Sequence, residues 1–108
     1  MNLQFHGGDV ATLEKRIDYE ENTVVKKEIA SKGNTKLILM AFDEEEELSP
    51  HTAPADAILV LLKGEAEIAY EAAEHHLKTG DMIYFEEGGL HSVEAKGRKK
   101  MALLLPRK

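Results

Sequence analysis

The chain has 108 residues, enough for one domain with a single core and too few for two. Hydrophobic residues make up 43% and charged residues 31%, a balance that fits a globular chain and speaks against a disordered one. A net charge of −6 argues against nucleic acid as a partner, because phosphate binding rests on clustered Lys and Arg.

The longest strongly apolar run, Ala57 to Leu62, is about a third of what a bilayer-spanning helix needs, so no membrane segment is expected. Met1 to Val10 has no basic start followed by an apolar stretch, so no signal peptide is expected either. The absence of cysteine fits a reducing cytoplasm. It also removes disulfides, thiolate chemistry and sulfur-ligated zinc.

In chain order, residues 1–12 read as an N-terminal arm, with His6 beside Gly7-Gly8, and the core spans about 22–106. Leu37 to Phe42 is the first apolar run, ended by Asp43 and the glutamates up to Glu47, a self-repelling solvated loop. Ala57 to Leu62 follows and ends at Lys63-Gly64. Ala66, Ile68 and Tyr70 then alternate with Glu65, Glu67 and Glu71, the pattern of a half-exposed strand. A helix competes over Ala66 to His76, which is rich in Ala and Glu, but the β-flanks and the short length favour strand. Ala72 to His76 reads as a hairpin connection that leaves His75 and His76 at a wet end. Met82 to Phe85 follows the turn Thr79-Gly80-Asp81, and Ala102 to Leu105 is the last run before Pro106. Short runs punctuated by Gly, Pro and charge predict an all-β chain. The basic groups Arg98-Lys99-Lys100 and Arg107-Lys108 read as a solvated turn and tail.

Ala57 to Leu62 is apolar on both strand faces, where a half-solvated antiparallel strand would alternate. The N-terminal arm and a second subunit are the expected covers, so the chain is expected to be a homodimer.

His51, Ala53, Ala57 and Gly64 stand at the spacing of the pattern G-x5-H-x-H-x3,4-E-x6-G, with Glu45 at its opening glycine. Gly80, Gly88 and His91 stand at the spacing of G-x5-P-x-G-x2-H-x3-N, with Glu86 and Ala95 replacing the proline and asparagine. In this order and at this separation, the two segments resemble the motifs of the cupin superfamily, in the manner of its small single-domain members. The resemblance covers about residues 37–94. It implies one all-β domain over 1–108, a single antiparallel, jelly-roll-like cupin β-barrel.

In metal-binding cupins the two histidines and glutamate of the first motif, with the histidine of the second, hold one ion. The resemblance therefore raises a divalent transition metal (Zn, Ni, Mn or Fe) with His51 and His91 as ligands. The other two ligand positions hold Ala53 and Ala57. Residues at i and i+2 of a strand share a face about 6–7 Å apart, whereas Glu47 lies about 13 Å from His51 along a strand. Asp56 is one residue off the glutamate position and would face away in a regular strand, though Pro54 makes the strand start irregular. A catalytic zinc site takes three protein ligands plus water, and two neutral imidazoles fall short of that.

The leading expectation is a small molecule bound in the barrel cavity near His51, His91 and Tyr84. The rival is a metal-dependent enzyme of dioxygenase or isomerase type, using His51 and His91 with Asp56, water or substrate. Strand parity puts Ala53, Ala57, Leu59, Leu61 and Val93 on the inward side. Either Met82 and Tyr84 or Ile83 and Phe85 join them.

Overall fold

A computed structural model describes residues 5–106. Among them a 3₁₀ turn at Leu13–Lys15 precedes nine strands: β1 (Val24–Lys32), β2 (Thr35–Phe42), β3 (Leu48–Thr52), β4 (Ala57–Lys63), β5 (Glu65–Tyr70), β6 (Ala73–Lys78), β7 (Met82–Phe85), β8 (Leu90–Val93) and β9 (Lys99–Pro106). They form two antiparallel sheets, ordered β1-β2-β9-β4-β7 and β3-β8-β5-β6. The chain is all-β, and no described helix is long and apolar enough to cross a membrane.

Strand alternation decides what each sheet buries. Leu59 and Leu61 of β4, Phe85 of β7 and Met101 of β9 meet Ile68 of β5 and Val93 of β8 in one core cluster between the sheets. Ala53 and Ala57 are buried as expected, and β7 turns Ile83 and Phe85 inward. Met82 and Tyr84 face outward, 50% and 48% exposed.

The other face of the five-stranded sheet has its own cover. Ile17, just past the 3₁₀ turn, is 3% exposed and packs on Leu39, Ala41 and Ala102, with Leu13, Tyr19 and Leu62 around them. The N-terminal segment therefore covers β2, β9 and the end of β4. Ile58, Val60, Tyr84, Leu104 and Met82 lie beyond that cover, side by side across β9, β4 and β7.

Two expectations need correction. Lys99 and Lys100 are buried at the start of β9 instead of forming a solvated turn. Alternation sends them to opposite faces, and each finds polar company. Lys99 Nζ donates to the Gly97 carbonyl at 2.9 Å and sits 5.2 Å from the centre of the Phe42 ring. Lys100 Nζ donates to the Glu14 carbonyl at 2.6 Å and sits over Tyr19, which ties the N-terminal segment down. Burial pushes the Lys99 ammonium pKa below its usual value. Arg98 stays half exposed and pairs with Asp43 at 2.9 Å. The Asn22 N–H, with Arg98 behind it, holds the Asp43 carboxyl at about 2. Arg107-Lys108 lies outside the described residues.

The second correction concerns the hairpin connection expected at Ala72 to His76. The strand expected at Ala66 to Tyr70 is β5 and the competing helix does not form, but the connection is only Glu71-Ala72, because Ala73 to Lys78 is strand β6. Both turn residues take left-handed backbone, φ 48° at Glu71 and 70° at Ala72, where Asn-Gly is the usual choice. Bonds to β8 hold the turn: Glu71 N–H donates to the Leu90 carbonyl at 2.8 Å, and Leu90 N–H to the Glu71 carboxylate at 2.7 Å. Tertiary pairing overrides the helix propensity of the alanines and glutamates.

Candidate functional site

His51 and His91 are cross-strand partners on β3 and β8. Their ring centres lie 4.2 Å apart, the planes at 62°. His91 is buried and His51 exposed, so the pair runs from the interior to the surface. Each Nδ1 lies on a backbone carbonyl two residues earlier, His51 on Ser49 at 2.8 Å and His91 on Gly89 at 3.1 Å. A carbonyl only accepts, so each Nδ1 carries the hydrogen and the neutral ring keeps its lone pair on Nε2. Burial lowers the His91 pKa, and the neighbouring His51 adds to the shift.

The turn between β7 and β8 sets this geometry. Gly88 N–H donates to the Ala53 carbonyl at 2.8 Å and Ala53 N–H to the Gly89 carbonyl at 3.1 Å, so the turn is clipped to the end of β3. Gly88 takes φ 85°, which favours glycine. Gly89 is needed for a different reason: a Cβ there would lie 2.4 Å from the Tyr70 hydroxyl and 2.5 Å from its ring. Tyr70 in turn accepts the Glu86 N–H at 3.1 Å. Its ring stacks on Phe85 at 5.6 Å, and Phe85 stacks on His91 at 4.1 Å, planes within 13°. Four rings thus form one row, Tyr70, Phe85, His91 and His51.

A family model described as "Cupin domain" matches residues 38–106, more than half the chain. The chain belongs to the cupin family. A cupin superfamily protein from Desulfitobacterium hafniense DCB-2 is 24% identical, TM-score 0.84, covering 100% of this chain and 97% of that one. A conserved protein of unknown function from Streptococcus pyogenes is 20% identical, TM-score 0.83, covering 100% and 96%. A Cupin 2 conserved barrel domain protein from Leptotrichia buccalis is 30% identical, TM-score 0.79, covering 87% of this chain and 46% of that one. None of the curated proteins matches the chain.

As a cupin, the chain has a depleted metal set. The first-motif positions beyond His51 are the buried methyls of Ala53 and Ala57, and Phe85, paired with Ala57 across β4 and β7, lays its ring on His91. Two imidazoles against a phenyl ring do not fit the family's four-ligand ion. Asp56 is no replacement: its carboxylate accepts the Glu87 N–H at 2.8 Å and so anchors the turn. Tyr84 faces away from Ile83 and Phe85, so the structure does not bring it to the histidine pair. Burial, with Asp56 close by, raises its pKa.

The remaining histidines are dispersed. His6 lies in the N-terminal segment beside Asp9. His76 sits on the outer face of the four-stranded sheet, hydrogen-bonded to Glu67 and 2.9 Å from Glu65. The Glu67 bond raises the His76 pKa and lowers that of Glu67. Glu67, Glu74 and Glu94 bring one carboxylate oxygen each within 4.8 Å of one another beside it.

His75 lies across from Ile68 on the inward parity of β6. With Tyr70, Leu77 and Ile83 it lines a cleft of about 590 Å³ between β6 and β7. Gly88-Gly89 reads from the sequence as turn chemistry at positive φ, which holds for Gly88 alone; Gly89 serves the close approach of Tyr70, a contact the sequence does not signal.

Proposed function

We propose that this cupin binds a small molecule against the His51–His91 pair, within a jelly-roll-like barrel formed by the chain as a single domain. The carrying observation is the pair itself: two imidazoles 4.2 Å apart, one buried and one exposed, each with Nδ1 satisfied by a backbone carbonyl two residues earlier. Phe85 offers an apolar surface beside the pair, and the two Nε2 lone pairs are the polar groups that would orient a ligand there. No ion enters this reading, and the pair acts by hydrogen bonding.

A thermal-shift screen of metabolites on the wild type and on His51→Ala/His91→Ala tests it. A ligand with a dissociation constant near 1 μM, at a hundredfold excess over it, adds about 2.7 kcal/mol. That is several degrees of Tm for a domain of this length, and the double variant should lose the shift. Hits that move both proteins equally would remove the histidines from the site.

We also propose a homodimer built on the uncovered strip of the five-stranded sheet, where Ile58, Val60 and Leu104 flank the exposed Met82 and Tyr84. Light scattering should give twice the 12.0 kDa chain mass at micromolar concentration, and a monomer would refute this.

A further inference from the structure

The hydrogen bonds that the His51–His91 pair already makes decide which ligands it can hold. Both Nδ1 hydrogens are spent on backbone carbonyls, Ser49 for His51 and Gly89 for His91. Each neutral ring has only its Nε2 lone pair left to offer, and that atom accepts but cannot donate.

The free nitrogen is also within reach. His91 is 8% exposed, and among the described residues its Nε2 has no hydrogen-bond partner. No described buried side-chain nitrogen or oxygen lacks a partner, so this atom keeps a path to solvent. His51 beside it is exposed. A ring anchored through one nitrogen and open at the other is an acceptor held ready, because a buried polar group without a partner is costly.

Nothing around the pair supplies the missing donor. Among the described residues no carboxylate lies within 4.0 Å of either imidazole to hold a proton there, whereas His6 and His76 each have one. Nearby carboxylates are committed to backbone: Glu71 accepts the Leu90 N–H and Asp56 the Glu87 N–H. Burial lowers the His91 pKa, and the second imidazole 4.2 Å away adds to the shift. Residues 48–53 and 85–91, which build the site, contain no Lys or Arg. An anion would meet two lone pairs and no cation. The larger cleft, at the seam where β6 and β7 remain unpaired, is lined by neither histidine of the pair, so the ligand does not draw on that space.

Resting on the reading of this pair as the binding site, we infer that its ligand is a small uncharged molecule with two adjacent hydroxyls on an apolar ring. One hydroxyl donates to each Nε2, and the ring lies against Phe85. Cross-strand partners share a face, and imidazole centres 4.2 Å apart suit donors on neighbouring carbons. A site made of acceptors rejects an analogue that cannot donate, since its own groups are then left unpaired. Carboxylates and phosphates of the same shape add repulsion and are refused.

The probes are the vicinal cis-diol of cyclohexane, its monomethyl and dimethyl ethers, and the matching cis-dicarboxylate, at millimolar concentration and neutral pH. Long-range proton–nitrogen spectra read the Nε2 resonances of both histidines. The diol should move both, and the dicarboxylate should move neither. Each O-methylation should weaken binding about three- to tenfold, the worth of one hydrogen bond. In His51→Ala, a change at an exposed position, the diol and its monomethyl ether should bind equally. Ethers that bind the wild type as tightly as the diol overturn the proposal. A dicarboxylate that moves both Nε2 resonances, with its binding lost in His51→Ala/His91→Ala, overturns the ligand class and keeps the pair as the site. A diol that binds without moving either resonance overturns the class and the site together. No binding of the diol at all overturns the class alone, and the metabolite screen then decides the site.

Discussion

The histidine row and the β6–β7 seam are made from the same strands yet handle space in opposite ways. At the row, Phe85 lies 4.1 Å from His91 and His91 lies 4.2 Å from His51, so rings occupy the region where the family motif would place an ion. At the seam, two strand edges leave about 590 Å³ between them, lined by residues to which neither motif assigns a role. Tyr70 belongs to both, stacked on Phe85 and lining the seam. Motif positions thus locate the scaffold, while the filling of the interior locates the room for ligands.

The largest effect that could break this contrast is Phe85→Ala. Removing a buried phenyl should cost about 3–5 kcal/mol, measured by urea unfolding. A loss below about 1 kcal/mol would mean that the ring does not fill the row. Gly89→Ala comes next. Its Cβ would press on Tyr70 at 2.4–2.7 Å, an overpacking cost of about 1–3 kcal/mol. The cost should shrink in a Tyr70→Val background, and strict additivity would deny the contact.

A smaller effect separates the two regions by sign. The His91 pKa is lowered by burial, so the unfolded chain binds its proton more tightly. Stability from His91 is present above about pH 6.5 and is lost as pH falls through the unfolded value toward the lowered folded one. The His76 pKa is raised by Glu67, so its contribution is full below about pH 6.5 and is lost as pH rises through the raised folded value. Unfolding followed across pH 5–8 should show His91→Gln relieving the acid loss and His76→Gln removing the acid-side gain. Identical pH profiles for both variants would erase the distinction.

The sequence reading was sharp where a rule is local. Parity placed Ala53, Ala57, Leu59, Leu61 and Val93 inward, and motif spacing brought His51 opposite His91. It was blunt where the deciding partner is distant in sequence. The choice between Tyr84 and Phe85 depends on which face β4 buries. Lys99 and Lys100 look solvated until Phe42, Tyr19 and the Gly97 and Glu14 carbonyls meet them. Glu71-Ala72 lacks turn chemistry of its own, and β8 supplies its restraint. The seam depends on strand order, which hydrophobic periodicity does not encode.

The most direct test of the central claim is a long-range proton–nitrogen spectrum of the imidazoles, recorded while a compound that raises the Tm is added. Each Nδ1 should remain protonated on its carbonyl, and the Nε2 resonances of His51 and His91 should move together to saturation. Nε2 resonances that stay fixed at saturating ligand would contradict the assignment of these two histidines to the binding site.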